Sequence, residues 1–197
     1  MRGGILVGER EPTALEAVQG EVAALRPVYR DGAGDGTEII LRSGERLWQP
    51  KRIKAVRTEL AHLYGVDLVA VRRRYGAYLE RVSSVPLPFG PRLILVPLRL
   101  RLPRCRGDAS QGYISYHDIK ELRSGASPPF RSLVVLASGV EVPVLSSRRV
   151  VLQHLSAARL VEERYLSQNG WKAPADERRW TEYLSALVHE LRAHYPL

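Results

Sequence analysis

The stretch from Arg92 to Leu102 (RLILVPLRLRL) admits one local structure. Its even positions Ile94, Val96, Leu98, Leu100 and Leu102 are all apolar, and its odd positions end in Arg99 and Arg101. Successive side chains of a strand point to opposite faces. The pattern therefore predicts a strand with one apolar row for a core and the two arginines together on the other face. Pro97 has no N–H to give a ladder, which predicts an edge strand or a bulge.

A chain built around such a strand needs partners for it, and turn signals place them. Thr37–Arg42, Ser43-Gly44 and Glu45–Gln49 read as a hairpin. Leu133–Ala137 and Val140–Leu145 flank Ser138-Gly139 as a second. Gly112 to Ile119 reads as a strand running into a turn or short helix, and Ser83 to Pro91 as an extended, proline-broken connection. Asp31 to Gly36 (DGAGDG) reads as a turn or mobile loop. Residues before it are ambiguous: Ile5–Val7 suits a short strand, and Ala14 to Leu25 suits a helix or two strands.

Helical spacing appears elsewhere. Ile53, Val56, Leu60 and Leu63 line one face of a helix entered at Pro50 and closed by Gly65. Asp67 caps a second, with Leu68, Val71, Tyr75 and Tyr78 in line and Gly76 as a weak point. Ser147 opens a long helix with Val151, Leu155, Ala158, Val161 and Tyr165 as its stripe. Trp171 to Ala175 reads as a linker, and Asp176 opens a last helix through Trp180, Leu184, Leu187 and Leu191. The expected class is α+β: short antiparallel strands and hairpins, a central two-helix corner and C-terminal helices. The expected division is a domain over 1–170 and a helical extension over 171–197.

The lone Cys105 excludes an internal disulfide framework and a multi-cysteine zinc site. No apolar run reaches the roughly 20 residues of a membrane span, and the start, MRGGILVG, has too short an apolar core to be expected as a signal peptide. A cytoplasmic protein is expected. Ser115, His117 and Asp118 are near neighbours on a strand, so they do not make a triad. No catalytic residue, metal or cofactor is expected.

Charge singles out the middle of the chain. Residues 51–106 hold 13 Lys/Arg against Glu59, Asp67 and Glu80, a net of +10 in a chain whose total is +9. A belt concentrated in this way is the footprint of a polyanion binder. Its candidate contacts are Arg72, Arg73, Arg74 and Arg81 on and after the second helix, and Arg99, Arg101, Arg104 and Arg106 on the strand and its loop.

Two resemblances give that belt a use. Leu60 to Arg73 (LAHLYGVDLVAVRR) resembles the helix-turn-helix of bacterial regulators, with Ala61 at the crossing, Gly65 in the turn and Asp67 as cap. It departs in placing Leu68 and Val69 where polar groups usually face the bases. More broadly, Leu60 to Leu166 resembles the competence transcription factor (ComK) family. The blocks are Tyr64-Gly65 with Arg72–Tyr75, then SSVPLPFGPRLILVPL, GYISYHDIKEL (Gly112–Leu122) and LASGVEVPVLSSRRVVLQHLSAARLVEERYL (Leu136–Leu166). The resemblance implies a sequence-specific DNA-binding activator of competence and DNA-uptake genes. Such a protein binds AT-rich promoter sites largely through the minor groove, as an oligomer that assists RNA polymerase. Leu98–Arg106 is more basic than the family's usual pattern. Two alternatives use the same charge: a PilZ-like cyclic-dinucleotide module built on Arg101, Arg104, Asp108 and Ser110, and an RNA-binding protein.

Overall fold

A computed structural model describes residues 14–125 and 127–171. The strand expected at Ile5–Val7 and the helix expected from Asp176 lie outside them. The protein is α+β. In chain order it runs α1 (Ala14–Val18), β1 (Val22–Arg30), β2 (Gly34–Leu41), β3 (Arg46–Gln49), α2 (Ile53–Leu63), α3 (Leu68–Tyr78), β4 (Leu87–Gly90), β5 (Leu93–Arg99) and β6 (Gln111–Ser115). It continues through β7 (Ile119–Ser124), β8 (Ser132–Leu136), β9 (Glu141–Val144) and α4 (Arg148–Gln168). The first six strands form one antiparallel sheet in the order β3-β2-β1-β6-β5-β4, and the last three form a second in sequence order.

Both faces of the large sheet are covered. Leu25, Ile39, Leu93, Leu95 and Tyr113 pack against Leu15 of α1 and Ile53, Val56 and Leu60 of α2. Ala24, Ile40, Ile94, Val96, Leu98 and Ile114 pack on the other side against Val151, Leu155 and Ala158 of α4 and the apolar row of the small sheet. A smaller cluster of Tyr75, Val85 and Val161 joins α3 to α4. Leu93 to Leu98 is buried on both faces; the expected apolar row is buried from Ile94 to Leu100, whereas Leu102 at its end is 50% exposed.

β5 lies between β6 and β4 rather than at an edge, yet Pro97 is accommodated for the reason an edge would allow it. The short β4 reaches no further along β5 than Leu95. Leu100 turns its N–H toward β6, to the Ser110 carbonyl, whereas the Arg99 carbonyl turns away and accepts from Leu145 N–H at 2.8 Å. Odd positions thus address the side that β4 has already vacated, and a missing donor there costs no ladder bond.

Both expected hairpins form, as does the helix opened at Ser147. Three strands were not legible as such. β1 fell in the ambiguous leader, β4 in the proline-broken connection, and β7 in a charged stretch whose register shifts between Ile119 and Glu121.

Candidate nucleic-acid interface

The two-helix corner is fixed by its caps. Val66 N–H donates to the Ala61 carbonyl at 2.8 Å and Gly65 N–H to His62 at 3.1 Å, with Gly65 at φ +63°. This closure needs a left-handed residue, which glycine supplies without strain. Asp67 then accepts from Val69 N–H at 2.8 Å and Ala70 N–H at 3.1 Å. These two bonds, Ala70's first, hold its carboxyl below the usual carboxylate range. Helix α3 starts where its orphan amides are satisfied.

Gly76, a weak point by propensity, proves necessary at the other end of α3. A Cβ there would stand 2.7 Å from the Arg81 carbonyl oxygen. The chain folds back through Arg81 N–H to the Gly76 carbonyl at 2.8 Å, with Glu80 at φ +53°. Tyr75 is buried on the inner side of α3, and Leu68 and Val71 are half-buried. Tyr78, expected in the same row, is 46% exposed and carries the Arg164 guanidinium 5.5 Å from its ring centre. Val69, Arg72, Arg73 and Arg74 are exposed, with Arg72 on the side toward the large sheet.

Past β5 the chain makes a loop held from below by Tyr29 of β1. The Arg101 guanidinium lies 4.0 Å from the Tyr29 ring centre and that of Arg104 lies 4.5 Å from it. The Tyr29 hydroxyl accepts from Arg104 N–H at 2.8 Å and donates to the Asp108 carboxylate in a short bond. Asp108 also accepts from Cys105 N–H at 3.1 Å. The Tyr29 bond, more than the Cys105 one, keeps the Asp108 carboxyl below its ordinary range. Arg101 is 7% exposed, pairs with Asp35 at 2.5 Å, and donates through Nε to the Ala109 carbonyl at 2.9 Å.

The predicted residues therefore separate. Arg72, Arg73, Arg74, Arg99, Arg104 and Arg106 are exposed, Arg81 is half-buried, and Arg101 is enclosed. Among the described residues none of the seven outside Arg101 has a carboxylate within 4.0 Å. Several arginines elsewhere are matched: Arg26 and Arg46 share Glu38, Arg42 meets Asp118, and Arg123 bridges Glu121 and Glu141. The helical and strand-borne halves of the belt approach each other at Gln111, the register partner of Arg99, which shares a cavity wall with Arg72.

None of the three comparisons, with family models, curated proteins and solved structures, gives a match.

Other sequence signals resolve locally. Arg101, Arg104, Asp108 and Ser110 do meet, but the Asp108 carboxylate is held by Tyr29 and Cys105, and the Ser110 hydroxyl donates to the Arg101 carbonyl at 2.8 Å. His117 meets Glu162 of α4 at 2.7 Å while Asp118 meets Arg42 at 3.2 Å, so these neighbours diverge. Among the described residues no group of His, Cys, Asp or Glu could hold a metal, and no helix is long and apolar enough to cross a membrane. Sequence reasoning passed over Arg57, which donates to the Tyr113 hydroxyl at 2.6 Å and lies over its ring. The period of α2 gave no sign of it, because Arg57 lies off the apolar stripe and reaches a residue 56 positions away.

Proposed function

We propose that the chain is a sequence-specific DNA-binding transcriptional activator of the ComK type, and that α3 is its principal hold on duplex DNA. The observation that carries this is the outward face of α3: three consecutive exposed arginines on a helix locked at both ends, with no carboxylate partner among the described residues. Unmatched guanidinium groups on a rigid element suit phosphates, which position a protein on the duplex. Arg99, Arg104 and Arg106, exposed on the strand end and loop, suit a narrow, strongly negative minor groove of the AT-rich kind that the ComK resemblance implies. Arg81 backs α3. Arg101 acts by holding the loop through Asp35 and Tyr29, not by touching DNA. Self-association, assistance to RNA polymerase, a cytoplasmic setting and control of competence and DNA-uptake genes belong to the same proposal.

Recovery of genomic fragments bound by the purified protein tests it, with structured RNA as competitor. The expected result is a discrete set of AT-rich promoter fragments that resist RNA. Fragments without sequence preference, or displacement by RNA at equal phosphate concentration, would count against a sequence-specific regulator.

A further inference from the structure

A cavity of about 250 Å³ opens between α3, the segment after it and the large sheet. Its polar wall is Arg72, Ser84, Gln111 and Tyr113, and its apolar wall is Val85, Leu87 and Pro97. Among the described residues no carboxylate lines it. Arg57 stands behind Tyr113. One guanidinium N–H donates to the phenol oxygen at 2.6 Å, and Nε is buried without an acceptor among the described residues. With its oxygen already accepting from a cation, the Tyr113 hydroxyl is left to donate. The acceptor within reach is Gln111 Oε1, and 3.5 Å is a weak bond. Gln111 Nε2 donates to Ser84 Oγ at a similarly long 3.3 Å. Ser84 is held at φ +53°, a left-handed conformation that non-glycine residues adopt at a cost and that gathers at ligand sites.

A hollow with a phenol donor, an amide, a hydroxyl and a free guanidinium on one wall, and aliphatic side chains on the other, is an anion receptor with an apolar pocket. Its volume equals about eight water volumes at roughly 30 Å³ each, below the roughly 300 Å³ where drug-sized sites begin. It is too small for a dinucleotide. We infer that this cavity binds a small organic anion, with one phosphate or carboxylate head on Tyr113, Gln111 and Arg72 and a compact apolar body against Val85, Leu87 and Pro97. Arg72 is shared with the proposed DNA contacts of α3; Tyr113 and Gln111 are not, and the test is made on them.

Calorimetric titration of the whole chain without DNA tests it, using phenyl phosphate, phenol and inorganic phosphate as probes. Phenyl phosphate is expected to saturate one site, with phenol and inorganic phosphate each at least about tenfold weaker, because each lacks one of the two recognised parts. Tyr113→Phe and Gln111→Ala each remove one polar contact to the head. Each should weaken phenyl phosphate about tenfold, as for a hydrogen bond to a charged group. Melting temperatures close to that of the parent chain show that the variants fold. Absence of saturation up to about 10 mM, equal binding of phenyl and inorganic phosphate, or full affinity in both variants would overturn the inference.

Discussion

Arg72, Arg73 and Arg74 on α3 look equivalent in sequence to Arg99, Arg101, Arg104 and Arg106 beyond β5: two short basic runs within one belt. In the fold they differ in what the guanidinium groups already hold. On α3 the backbone is satisfied by caps and the charges are left over. Beyond β5 the loop has few backbone bonds of its own, and side chains do that work. Arg101 is spent on Asp35, and Arg104 lies against Tyr29. A regular element can offer its charges outward because it does not need them for its own shape, whereas an irregular loop consumes part of its charge in being ordered.

Four substitutions probe that difference through stability and order. The largest effect is expected from Arg101→Ala. It leaves Asp35 largely buried with, among the described residues, only the exposed Arg52 at 3.5 Å. Breaking a buried pair costs 3–5 kcal/mol in general, and about 2–3 kcal/mol is expected here because Arg52 remains. Urea unfolding measures it, and a loss under about 0.5 kcal/mol would make Arg101 as free as the others. Gly76→Ala comes next. Alanine usually stabilises a helix interior by up to about 1 kcal/mol. Here the clash with the Arg81 carbonyl reverses the sign, to a loss of about 1–3 kcal/mol, read by the same unfolding measurement.

Tyr29→Phe should leave α3 unchanged and loosen the loop. Hydrogen exchange at the Arg104 and Cys105 amides should quicken several-fold, while the Val69 and Ala70 amides keep their protection. The smallest effect concerns His154, half-buried on α4, whose pKa is lowered by burial first and by Arg81 second. A lowered folded-state value means the unfolded chain binds the proton more readily. The stability His154 contributes is therefore complete above the unfolded pKa and is lost as pH falls through the folded one. Melting temperature should drop between about pH 7.5 and 5.5, and His154→Gln should flatten that part of the profile.

What the sequence disclosed follows from the range of the interactions involved. The hairpins, the capped corner and the long α4 rest on contacts within a few residues, and turn chemistry and periodicity showed them. The burial of β5 on the side of its arginines as well, as far as Pro97, was not legible because two layers cover the sheet, and one strand does not reveal how many layers will meet it. Asp35 lies in DGAGDG, a run that reads as a mobile loop, and nothing local announces that it will meet Arg101, 66 positions on. The Arg57–Tyr113 contact is hidden in the same way. Residue type located the basic belt, but only the fold distinguished its free charges from its committed ones.

The central claim is that α3 supplies the charges left free for a polyanion. The most direct measurement is the salt dependence of duplex DNA binding, by fluorescence anisotropy, for the parent chain and for Arg72→Ala plus Arg73→Ala. Each lost phosphate contact should reduce the slope of log K against log salt by about 0.9. The account predicts a slope shallower by roughly two, with the melting temperature preserved. An unchanged slope in a folded double variant would contradict it.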